Sequence, residues 1–169
     1  MQTELPPEAR QRLHIEAAQV RDERGDTTAA AYHLQQAGEF EAAVALWHPQ
    51  MEEEIGRGQG PAARQVFSQI DANRLSAKSG KRLILLRARL YRLTGEAENA
   101  LENLNSVEWA GDDSLSADAA GERGYFMQLL GDTSGARRAY DAGLETLAGL
   151  LQKRARLLVA RARLWQRSR

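Results

Sequence analysis

Apolar residues recur along this chain at the three- and four-residue steps of an α-helix, and no stretch alternates apolar and polar positions over the length of a strand. β-branched residues are sparse, as expected of a chain built from helices. The pattern is punctuated by glycine followed by an acidic residue: Gly25-Asp26, Gly38-Glu39, Gly95-Glu96 and Gly131-Asp132. Glycine takes the left-handed conformation that closes a helix, and the carboxylate after it can cap the next helix or favour its N-terminus. Gly60-Pro61 puts a proline in a first helical turn, and Ser76 and Asp113 are candidate N-caps. The predicted helices run over 7–24, 27–37, 39–56, 61–70, 77–94, 96–107, 114–130, 132–148 and 150–167, about nine in all.

A self-comparison gives this helical chain a period. Gly95 and Gly131 lie 36 residues apart, near the roughly 34 of a tetratricopeptide unit. Ala88, Tyr91, Ala100 and Leu104 stand around Gly95 at the offsets that Gly124, Met127, Ala136 and Tyr140 hold around Gly131, and Gly25 repeats part of the set with Ala18, Ala30 and Leu34. Small residues at two of these offsets let paired helices approach, and large ones fill the groove beside them. The spacing is uneven elsewhere, 13 residues from Gly25 to Gly38 and 57 from Gly38 to Gly95. These offsets resemble the tetratricopeptide repeat over most of the chain, with degenerate individual motifs. The resemblance implies a single domain over 1–169: an all-α, TPR-like α-solenoid of antiparallel helix pairs wound as a right-handed superhelix.

The uneven spacing is similar to a narrower group, the helical region that follows the nucleotide-binding domain of STAND-class bacterial signalling ATPases, including maltose-regulator-like transcription activators. The stretches that carry this likeness are His14-Ile15-Glu16-Ala17-Ala18, Arg24-Gly25-Asp26, Ala31-Tyr32-His33-Leu34, Ala37-Gly38-Glu39-Phe40-Glu41 and Arg82-Leu83-Ile84-Leu85-Leu86-Arg87-Ala88-Arg89-Leu90. The chain has neither the GxxxxGK[ST] phosphate loop nor a DNA-binding helix-turn-helix segment of complete members. The resemblance therefore implies a piece of a larger protein that serves as its sensor or effector arm.

Composition narrows the chemistry. Without cysteine there is no disulfide, thiolate nucleophile or cysteine-based metal site, which is compatible with a reducing cytoplasm. No stretch reaches the roughly 20 apolar residues of a membrane span, and Met1 to Arg10 lacks the pattern of a signal peptide. Acidic and basic residues balance at 23 each, but none of the acidic ones follows Glu145, whereas Lys153, Arg154, Arg156, Arg161, Arg163, Arg167 and Arg169 do.

Candidate sites have plain structural readings beside them. Gly56-Arg57-Gly58-Gln59-Gly60 has the composition of a phosphate-cradling loop but follows a helical stretch, and reads as an interhelical hinge. His14, His33 and His48 form no i, i+4 ligand pair, and His33 reads as a packed, hydrogen-bonded histidine. Glu52-Glu53-Glu54 reads as a solvated face and Asp112-Asp113 as a cap, since consecutive helical residues point in different directions. Trp47 and Trp109 read as fillers between stacked helices. No nucleophile, base and orienting group assemble, so neither an enzyme nor a cofactor or metal is expected.

Two surfaces remain. The concave face that tetratricopeptide domains use maps onto Arg82, Leu85, Arg89 and Arg92, then Asp118, Tyr125 and Gln128; the arginines would grip a carboxylate or acidic peptide, or simply face solvent. Arg89 and Tyr125 replace the asparagine of a chaperone-tail clamp, which argues against that ligand. The last helix has two apolar stripes, Leu150, Leu157 and Leu164 on one and Leu151, Leu158 and Trp165 with Ala155 and Ala162 on the other. It is expected to contact a following repeat, a partner or a second copy through Leu157 and Leu164. The sequence thus points to a non-catalytic protein-protein interaction scaffold that binds a protein, a peptide or adjacent domains of its own polypeptide. The alternatives are a free-standing adaptor for an acidic peptide and, behind it, nucleic-acid binding through the basic last helix.

Overall fold

Glycine-closed helix ends organise the chain. In a computed structural model, which describes residues 6–109, 113–146 and 151–167 and the side chains of 6–109, 114–146 and 155–163, every described element is helical. The helices are α1 (Pro7–Glu23), α2 (Thr27–Gln36), α3 (Phe40–Trp47), α4 (Met51–Gly56), α5 (Gly60–Ser68), α6 (Ala77–Tyr91), α7 (Ala97–Asn105), α8 (Asp113–Leu129), α9 (Thr133–Thr146) and α10 (Leu151–Arg167). The chain divides into two compact units, Met1–Leu86 and Arg87–Arg169.

Gly25, Gly38, Gly95 and Gly131 all adopt the left-handed backbone expected of them, and Gly58 does the same, with φ between 71° and 84°. The residue after each glycine sends its N–H back to the carbonyl five residues earlier: Asp26 to Arg21, Glu39 to Leu34, Gln59 to Glu54, Glu96 to Tyr91 and Asp132 to Met127. That is the closing bond of a Schellman turn. The carbonyl of the same residue then accepts the N–H of an alanine, which starts the next helix: Ala30, Ala43, Ala63, Ala100 or Ala136. All five alanines are fully buried. Four residues further on stand Leu34, Trp47, Phe67, Leu104 and Tyr140, which are buried except for the half-buried Leu34. With Gly58 included, Gly25, Gly58, Gly95 and Gly131 are 33, 37 and 36 residues apart, and Gly38 falls between two members of a regular series. A Cβ on Gly124 would collide with the Tyr140 ring, so at the Gly131 turn the small residue before it and the large one after it are complementary halves of one contact.

Of the two roles open to the acidic residues after the glycines, side-chain capping is rare among the described residues. Only Asp132 is seen to cap: its carboxylate accepts from the Gly135 N–H at 2.8 Å and the Ser134 hydroxyl at 3.0 Å, bonds that hold it below the usual carboxylate range. Asp26, Glu39 and Glu96 make no side-chain cap, and their ψ is near 60°. Asp26 pairs with Arg21 at 3.1 Å instead. Ser76 caps α6 as predicted, accepting from the Ser79 N–H at 3.4 Å. Asp113 starts α8, but its side chain lies outside the described ones.

In the first unit α1, α2 and α3 pack in succession, and α2 also meets α5. The helix expected over 39–56 is interrupted at His48–Gln50 by one 3₁₀ turn containing Pro49, whose missing N–H breaks the α-helical ladder. The break lets α4 bring Glu54 inward, which overturns the solvated-face reading for that residue, while Glu52 and Glu53 are exposed. Glu54 is buried and accepts from the Thr28 hydroxyl at 2.5 Å and the Thr28 N–H at 3.2 Å, closing the first turn of α2. Arg57 pairs with it at 3.2 Å. Trp47, fully buried against Phe67 with ring centroids 5.3 Å apart, donates its Nε1–H to the same Thr28 hydroxyl at 2.9 Å. A second carboxylate works in the same way: Glu41 of α3 accepts from the Ser76 N–H at the start of α6, and bonds from the Ser79 side chain and Ser76 hold it below the usual carboxylate range.

In the second unit α7, α8, α9 and α10 pack in succession and α10 reaches α8 as well. Trp109 is buried and donates to the Leu104 carbonyl at the end of α7 at 2.7 Å, a bond the Arg123 guanidinium duplicates at the same distance. Ala117, Ala136, Tyr140 and Leu157 form a core patch that Met127, Leu144 and Ala160 flank.

Candidate functional site

The surface where the second unit ends has the strongest claim to a function. Leu157 points into the unit, 8% exposed, against Gly121 of α8 and Gly143 of α9; a Cβ on either glycine would stand 3.0 Å from its methyls. The opposite side of α10 is open. Ala155, Leu158, Val159 and Ala162 fall within about 100° of one another on a helical projection and are all exposed, Leu158 by 41% and Val159 by 51%. The expectation that Leu157 forms the contact surface is therefore corrected: Leu157 is core, and the stripe carrying Leu158 faces outward. Leu164 lies in α10, with its side chain outside the described ones, as do those of Leu151 and Trp165; Leu150 is itself outside the described residues.

Between α9 and α10 runs a groove of about 660 Å³ lined by Arg137, Asp141, Leu158, Arg161 and Ala162. Arg161 donates to Asp141 at 2.7 Å, an ion pair that ties the two helices together along the groove. Its lining joins an apolar floor to two cationic side chains.

The residues mapped onto a concave binding face do not form one open surface. Arg89 of α6 and Arg92, in the turn that follows it, converge on Glu122 of α8, the first with Nε 2.5 Å from Oε1 and the second at 3.5 Å. Glu122 is 3% exposed and sits on the apolar stripe of α8 between Ala119 and Phe126. Arg92 also lies 3.8 Å above the ring of Tyr125, a cation–π contact. Burial, followed by the nearby Glu122 charge, pushes the Tyr140 hydroxyl above its usual range. Arg89, Arg92 and Tyr125 are thus brought together, around an internal carboxylate. Asp118 and Gln128 are half-buried elsewhere on α8, and in the first unit Arg82 is half-buried while Leu85 is buried in the core.

Comparison with known protein families, curated proteins and solved structures finds no match to this chain.

One pair escaped the sequence reading. His14 and His33, 19 residues apart, meet across the α1–α2 hairpin with their Nδ1 atoms 3.0 Å apart and ring centroids 5.3 Å apart. One Nδ1–H donates and the other accepts, so a proton on both nitrogens breaks the bond. Burial, then the charges of His14 and Arg21, hold His33 below its ordinary value of 6.5. The unfolded chain therefore binds this proton more readily than the folded one, and stability falls as pH drops below about 6.5. Urea unfolding of the first unit is expected to lose midpoint from about pH 7 to 5.5, with a shallower loss in His33→Gln. Equal slopes in the two proteins would remove the pair from the account.

Proposed function

We propose that the chain is a non-catalytic helical-repeat scaffold, TPR-like in the succession of its hairpins, that binds another protein or an adjacent domain of its own polypeptide. The observation that carries this is the double-sided α10: one face is spent on the core through Leu157, and the other presents Leu158 and Val159 beside a groove. A repeat array leaves such a face at its last helix unless a further element covers it. The regular recurrence of the Gly25, Gly58, Gly95 and Gly131 turns supports the repeat reading. The setting its sequence resembles, the sensor arm of a larger signalling ATPase, would make the covering element a neighbouring domain. The rival adaptor for an acidic peptide on the concave face is disfavoured, because Arg89 and Arg92 already hold Glu122.

A photoreactive amino acid at Leu158 or Ala162, in the natural polypeptide in its source cells, tests the reading. Both positions are expected to give a defined cross-link to a partner or neighbouring domain, and the exposed Glu102 on α7 none. Labelling at 158 and 162 no greater than at 102 would sink it.

A further inference from the structure

The face left open by α10 also states the chemistry of what covers it. Ala155, Leu158 and Ala162 follow one another at helical spacing over about 10 Å, the length of two turns. Arg156 and Arg163 flank this stripe on one side and Arg161 on the other, at about 100° per residue. Arg137 of α9 lines the far wall of the groove. Over 133–146 and 155–163 there are five arginines against Asp141 and Glu145, and Arg161 is bonded to Asp141.

An exposed apolar stripe two turns long with arginines along both edges matches the face of an amphipathic helix that carries its own apolar ridge at i, i+3, i+4 and i+7 and carboxylates on either side. A second copy of α10 does not fit, because two such faces would bring arginine rims together. A nucleic acid would meet the exposed Leu158 and Val159 without a stacking platform. A flat bilayer surface would not fill a groove that also contains Asp141. Resting on the interaction reading above, we propose that the open face of α10, beside the α9–α10 groove, seats one face of an acidic amphipathic helix, with Leu158 and Ala162 at its centre and Arg156 and Arg163 along its outer edge.

The test uses the 169-residue chain and a labelled 18-residue amphipathic peptide with a leucine ridge and glutamate flanks, against its lysine-flanked counterpart, read by fluorescence anisotropy. The acidic peptide is expected to bind at least about 10-fold more tightly, with affinity that weakens as salt rises. Arg163→Glu and Leu158→Ser, both at exposed positions, are expected to weaken it about 10-fold each with the helical circular dichroism unchanged. Equal binding of both peptides, binding of neither, or binding of single-stranded DNA or anionic phosphatidylserine vesicles in place of the acidic peptide would each overturn the proposal. Cross-links from Leu158 in cells together with any of those results would leave the interaction scaffold standing and reject the acidic helix alone.

Discussion

Glu122→Ala is expected to destabilise the second unit by about 3–5 kcal/mol, because it leaves two guanidinium groups facing a pocket built around a carboxylate. The effect should lie toward the lower end of that range. Arg89 and Arg92 are 23% and 33% exposed at their side chains and can partly regain water, whereas Glu122, at 4%, cannot. Glu122→Leu should be milder, since position 122 continues the buried stripe of Leu115, Ala119 and Phe126 and a leucine there has apolar neighbours. Urea unfolding followed by fluorescence of Trp109, with Trp47 and Trp165 replaced by phenylalanine in every protein compared, gives the difference. A loss under about 1 kcal/mol for Glu122→Ala would mean that the carboxylate does not organise this unit.

The second large effect belongs to the first unit. Trp47→Ala should cost about 3–5 kcal/mol, the usual range for removing a fully buried aromatic from a close-packed core. It empties the space against Phe67 and takes away the Nε1–H that the Thr28 hydroxyl accepts. Trp47→Phe keeps most of the volume and loses the hydrogen bond, so it should cost about 1–2 kcal/mol. The ratio of the two losses separates packing from polar bonding. Comparable losses would show that the tryptophan matters as a donor more than as a filler.

What the sequence made legible is the backbone punctuation. A left-handed residue is nearly always a glycine, and the structure closes helices at Gly25, Gly38, Gly95 and Gly131 as their spacing predicts. Gly58 was read as a hinge and not as a further member of that series, which made the period look irregular. The buried carboxylates were missed for a shared reason. Glu54 and Glu122 both occupy apolar-stripe positions, Glu54 after Val44, Trp47 and Met51 and Glu122 after Leu115 and Ala119. Charge by itself suggested solvent; a charge in phase with the core was the signal that could have found them. The two apolar stripes of α10 were visible, but which of them turns inward depends on Gly121 and Gly143 of other helices, so the choice of Leu157 as a contact residue had no local basis. His14 and His33 were out of reach for the same reason, since their meeting depends on the angle of a hairpin.

The bond from Glu54 to Thr28 spans 26 residues and joins one hairpin to the next. It sets where the molecule can be cut. A fragment ending after α3 would retain every residue of α2 but lose the acceptor of its first-turn amide, and that turn should exchange its hydrogens quickly and yield early to protease. Moving the boundary beyond Arg57 restores the carboxylate together with its cationic neighbour. The shortest N-terminal piece with a protected α2 is therefore expected to extend through α4, one helix past the point its own hairpin would suggest.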